Sequence, residues 1–132
     1  MKLYLASFIE PENFGPGRVI GIANGSKPEH VRCEAVFTPL IPNNSIINNY
    51  YELKKTDAEK ASKLFVEAFS KQLDAFASDV ELQAEEEDCH IHEVLPFKDG
   101  DTLASWERES RNNYRDLVEK VLERLGYEIE RH

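Results

Sequence analysis

The sequence predicts a small Rossmann-like α/β domain with a mostly parallel sheet of four to five strands flanked by helices. Three observations predict it. Lys2–Phe8 is an apolar run of β-formers, the mark of a strand buried on both faces. Two later segments carry apolar residues at spacings of three and four, the stripe of an amphipathic helix. The last of these lies between two strand-like runs, giving strand, helix and strand within about 30 residues, the βαβ unit of a parallel sheet.

The elements follow in order. The first strand, Lys2–Phe8, is bounded by Pro11, Gly15 and Gly17. It is read as a strand, not a signal peptide, because Glu10 and Glu12 cut the apolar run short. Arg18–Ala23 is a second strand, ended by the turn pair Asn24-Gly25. Val31–Phe37 alternates through Val31, Cys33, Ala35 and Phe37 as a third, before Pro39 and Pro42 break regular structure. Ser45–Leu53 reads as a short helix. Thr56 and Glu59 have capping-box spacing, and behind them Ala61, Leu64, Phe65, Ala68, Phe69, Leu73 and Phe76 form one stripe. That helix should run from Asp57 to about Asp79 and extend towards Glu87. The acidic run over residues 81–88 reads as a solvated helix end. Thr102–Glu107 is a strand; Tyr114, Leu117, Val118, Val121, Leu122 and Leu125 stripe a helix; Gly126 is placed to close it. Tyr127–Glu130 alternates as the last strand.

With 132 residues, the chain fits one domain, without a repeat or linker. Its net charge is −9, concentrated in one half: residues 1–66 carry 8 basic and 7 acidic groups, residues 67–132 carry 8 and 18. That balance argues against nucleic acid and against anionic membranes, since both require a basic footprint. No apolar run approaches the length of about 20 residues that a membrane helix needs. Cys33 and Cys89 are too few for a disulfide scaffold and read as free thiols in a reducing compartment, hence a cytoplasmic protein. Gly15-Pro16-Gly17 matches neither the dinucleotide nor the P-loop fingerprint, so no cofactor is expected.

The C-terminal third carries a resemblance. Leu103-Ala104-Ser105-Trp106-Glu107, Asn113-Tyr114-Arg115 and Gly126-Tyr127-Glu128-Ile129 follow the order of a strand ending in an aromatic and a glutamate, a turn, a helix and a final strand. Gly17-Arg18-Val19-Ile20, Phe37–Asn43 and Phe65–Leu73 extend the likeness to most of the chain. In these stretches the chain resembles the domain-of-unknown-function 488 family, as a divergent member. Where that family has a strand cysteine this chain has Ser105, and where it has a Cys-His-Arg turn this chain keeps Arg115 alone. The resemblance implies a compact Rossmann-like fold and no activity. Leu3–Ser7 is similar to the first strand of nucleoside deoxyribosyltransferases, which would imply glycosyl transfer with Glu107 as the carboxylate.

Ligands of open α/β sheets bind at the carboxyl ends of the strands, and a helix N-terminus there favours an anion. The turn after the 102–107 strand brings Arg108, Arg111 and Arg115 with the capping residue Asn113. These are the expected ligand-binding residues for a small phosphate- or nucleotide-like anion; the plainer reading is an exposed turn whose arginines pair with Glu107, Glu109 and Asp116. Ser105 and Glu107 share a strand face and are the catalytic candidates, Glu107 as base or nucleophile, with an ion pair to Arg115 as the plainer alternative. Cys89, His90 and His92 are the metal candidates; read as a strand, this stretch supplies at most two ligands of the four zinc wants. Asp99-Gly100-Asp101 reads first as a turn and second as a magnesium loop. Three functions result: an anion-binding protein or enzyme, a non-catalytic interaction or regulatory module with an acidic surface, and a deoxyribosyl-type transferase. Neither substrate, catalytic status, pathway nor oligomeric state is fixed by these residues.

Overall fold

The computed structural model describes residues 1–23, 31–105 and 114–131. Among them are five strands, β1 (Lys2–Ser7), β2 (Val19–Gly21), β3 (Ala35–Val36), β4 (Thr102–Ser105) and β5 (Glu128–Arg131). The helices are α1 (Asn44–Lys54), α2 (Ala58–Glu86), α3 (Ile91–Val94) and α4 (Tyr114–Arg124). The strands form one sheet in the order β3-β2-β4-β1-β5, and every pairing is parallel. The expected parallel α/β domain is what the chain builds. β4, α4 and β5 form the βαβ unit, with β1 lying between the two strands it joins.

Strand alternation gives the sheet two unlike faces. Leu3, Leu5, Ile20, Ile22 and Leu103 share one cluster with Phe65, Phe69 and Leu73 of α2 and Val118, Val121 and Leu122 of α4. Val19 and Ala104 face the other way, into a smaller cluster with Phe8 and Val31, flanked by Phe14 and Cys33. The described residues that cover this second face come from connections, not from α-helices. One connection lies very close: a Cβ on Gly15 would stand 2.3 Å from the Tyr4 ring, so glycine alone fits there. Its N–H donates to the Thr102 hydroxyl at 2.7 Å.

Several local expectations need correcting. The cap of α2 is Asp57, whose carboxylate accepts the Lys60 N–H at 3.0 Å; the Thr56 hydroxyl instead donates back to the Leu53 carbonyl. Asp caps as well as Thr and adds a favourable charge at the helix start. The stretch around His90 and His92 is not a strand: Ile91–Val94 is one helical turn, favoured because the Glu93 carboxylate accepts the His90 N–H at 3.1 Å. The third strand shrinks to Ala35–Val36. The Asn24-Gly25 turn and Trp106 lie outside the described residues.

The Asp99-Gly100-Asp101 turn sits at the amino end of the sheet. Gly100 has φ +88°, the left-handed conformation that favours glycine. Asp99 accepts the Lys2 N–H at 2.7 Å. The buried Asp101 accepts the N–H groups of Arg18 and Lys98 and pairs with the Arg18 guanidinium at 2.7 Å. Both carboxylates therefore clamp the chain together, and the magnesium reading finds no support in their geometry.

Candidate functional site

The strand order fixes where a ligand crevice belongs. From β1 the chain crosses to β2 on one side, and from β4 it crosses to β5 on the other. β1 and β4 are neighbours whose onward connections run in opposite directions along the sheet, each passing over the other strand, and the carboxyl ends of these two strands form the topological switch point.

Two serines stand there in register. Ser7 ends β1, Ser105 ends β4, and they are Cα partners across the ladder. Both are buried. Alternation puts them on the helix-covered face, with Leu5 and Leu103 two residues earlier. The Ser7 hydroxyl accepts the Ile9 N–H at 3.2 Å. The Ser105 hydroxyl has no hydrogen-bond partner among the described residues, although it is fully buried. A buried polar atom left in this state is costly, which makes it the group at this edge that an incoming polar ligand would relieve.

The start of α4 is held over the same edge. The Tyr114 hydroxyl shares its one proton between the carbonyls of Ile22, just past β2, and of Leu40, the latter at 2.9 Å. Its ring stacks on Phe69 of α2, with centroids 5.2 Å apart. Arg115 follows in the first turn of α4 and is 5% exposed. An arginine so buried in a helix's first turn adds its charge to the positive end of the dipole.

Of the expected site residues, Ser105 and Arg115 come to this end of the sheet. Glu107, Arg108, Arg111 and Asn113 lie outside the described residues. Asp116 is engaged by Arg131 of β5. Cys89 and His90 lie elsewhere, between α2 and α3, with His92 inside α3, and the two imidazoles stack with centroids 5.2 Å apart. Among the described residues no group of three or more His, Cys, Asp or Glu could hold a metal ion. Partial burial, and then the neighbouring Glu87 and Glu93, push the Cys89 thiol pKa upward, away from the thiolate a metal would take.

Sequence reasoning missed Ser7 and the Tyr114 hydroxyl. A single polar residue closing the apolar run of β1 was the available signal for Ser7; nothing local announced the Tyr114 bonds, which reach chain segments far away in sequence. On the sheet's second face, opposite the serines, a cavity of about 290 Å³ opens at the ends of β2 and β3, lined by Phe8, Gly21, Ala23, Cys33, Ala35 and Val36. No protein-family model, curated protein or solved structure matches this chain.

Proposed function

We propose that this protein binds, and in an enzymatic form turns over, a small anionic ligand of phosphate or nucleotide type at the carboxyl edge of the sheet, where β4 gives way to α4. The observation that carries the reading is the unsatisfied buried hydroxyl of Ser105 at the end of β4, at the same end of the sheet as the first turn of α4, which carries the buried Arg115. The guanidinium and the helix dipole both favour negative charge, and the arginine fork fits phosphate or carboxylate geometry. Arg108, Arg111 and Asn113 belong to the same turn in sequence and would complete the anion's contacts. Glu107, two residues past Ser105, is the proposed base or nucleophile of a turnover reaction. The resemblance to the domain-of-unknown-function 488 family agrees with this fold and is silent on chemistry.

The test is a thermal-shift and calorimetric screen of inorganic phosphate, nucleoside monophosphates, sugar phosphates and simple carboxylates. A ligand at about 100 times its Kd should add about 2.7 kcal/mol of stability. The expected result is a shift with one anionic class, weakened in Arg115→Lys, which keeps the charge but loses the fork, and in Ser105→Ala. A folded wild-type protein that responds to none of these anions overturns the reading. Weight would then move to an interaction module with an acidic surface, a reading supported by the exposed carboxylates that crowd the last turns of α2.

A further inference from the structure

Helix α2 spans 29 residues and has an outer face that neither the sheet nor α4 covers. Leu64 and Leu82 on that face are 45% and 53% exposed. They are 18 residues apart, which is five turns at 3.6 residues per turn, so both point the same way. Ala68, Lys71 and Ala75 fall on nearly the same bearing between them. Beside Leu64, α1 and α2 enclose a groove of about 350 Å³ lined by Ile46, Tyr50, Leu53, Leu64, Ala68 and Lys71.

The helix is also polar along its length. Residues 52–71, the end of α1 and the first half of α2, carry five lysines against four carboxylates. Residues 72–88 carry seven carboxylates and no basic residue. Arg124 of α4 engages Asp74 and Glu81, and the other five acids keep this half strongly negative. The charges of Lys60, Lys63 and Lys71 at one end, and of Glu85 and Glu86 at the other, are on exposed residues.

We propose that two copies of this chain pair through this face, antiparallel and related by a two-fold axis near the level of Leu73. That arrangement brings Leu82 of each copy to the level of Leu64 and the apolar groove of the other. It sets Ala75 opposite Lys71, where a small residue lets the helices approach. It also lays the lysine-bearing half of each α2 on the carboxylate-bearing half of its mate. A parallel pairing would set the two acidic halves together, so the charge pattern selects the antiparallel one. The contact is isologous and closes on itself as a dimer.

Sedimentation equilibrium from low micromolar to about 200 µM protein tests this, since self-association depends on concentration. The wild type is expected to dimerise, and Leu82→Lys to raise the dimer Kd at least about tenfold. The double variants Lys60→Glu/Lys63→Glu and Glu85→Lys/Glu86→Lys should each weaken self-association. An equimolar mixture of the two should restore it, because each variant then meets the opposite charge at both ends. The Glu85→Lys/Glu86→Lys result discriminates: it lowers the net negative charge, so a dimer governed by overall repulsion would strengthen. All these positions are exposed, and circular dichroism checks that each variant is folded. A wild type that stays monomeric throughout, a dimer indifferent to Leu82→Lys, or a mixture that stays as weak as its components overturns the proposal.

Discussion

Asp101 shows how a single side chain can tie together stretches that are far apart in the sequence. Burial works against its charged form, but hydrogen bonds from the Arg18 guanidinium and from the N–H groups of Lys98 and Arg18 outweigh it, and its pKa lies below the usual carboxylate value. The group thus ionises more readily folded than unfolded. Its stabilising contribution is complete above the unfolded value near 3.9 and is lost as pH falls through the lower folded value. Asp101→Ala leaves two backbone donors without their acceptor and the Arg18 guanidinium with the Pro96 carbonyl in place of its carboxylate, at a cost of about 2–3 kcal/mol at pH 7. Urea denaturation at pH 7 and at successively lower pH checks both parts. The gap between wild type and variant should narrow below about pH 4. A gap that persists unchanged into acid would mean that the carboxylate's charge is not what holds the turn. At the same end of the sheet, Tyr127 shows burial without compensation: its hydroxyl has no hydrogen-bond partner among the described residues, and burial pushes its pKa up to about 12.

At the scale of elements, α2 and α4 end in the same way with different residues. In α4, Gly126 takes φ +97°, its N–H reaching the Glu123 carbonyl and that of Tyr127 the Leu122 carbonyl. In α2, Asp88 takes φ 51°, with its N–H on Glu85 and that of Cys89 on Ala84. Both are Schellman closures, but Asp88 bears a Cβ in the left-handed region and a negative charge at the negative end of a helix dipole. Asp88→Gly should therefore stabilise the protein by about 1 kcal/mol, read as a higher urea midpoint at unchanged slope. A lower midpoint would show that the Asp88 side chain contributes more than it strains. The contrast also shows what the sequence made legible. A glycine after an apolar stripe announced the end of α4, whereas an aspartate among acids could not announce the end of α2. The third strand was overread for a related reason: the Glu34 carboxylate takes the Val19 N–H at 2.8 Å and Arg32 donates to the Gly17 carbonyl, so side chains occupy backbone groups that a longer ladder would have used. Ser105 and Arg115 were readable because they flank one strand-to-helix junction. Ser7 was not, because its place in the site depends on a register with a strand almost the whole chain away.

For the whole molecule, the sheet's wiring governs how it opens. Strand β1 lies between β4 and β5, which are far from it in the sequence: Tyr4 is paired with Thr102 and Lys2 with Glu128. Such pairings close loops of about a hundred residues, so the centre of the sheet is assembled late and lost only with the whole fold. The helix-covered face binds β1 and β4 to α2 and α4 in one cluster that includes Leu3, Leu5 and Leu103. Helix α1 stands outside that layer, resting on α2 through Tyr50, which meets Phe65 edge to face with centroids 5.5 Å apart. Residues Asn44–Lys54 bury Tyr50 fully and the others at most in part. Native-state hydrogen exchange should therefore separate two classes of amide. Those of Leu3, Leu5, Leu103 and Ala104 are expected to exchange only through global unfolding, with a urea dependence equal to that of the complete transition. Those of α1 should exchange through a smaller opening, cheaper by several kcal/mol and nearly independent of urea at low concentration. If the α1 amides instead follow the β1 amides at every urea concentration, α1 is part of the cooperative core, and the groove beside Leu64 is as rigid as the sheet.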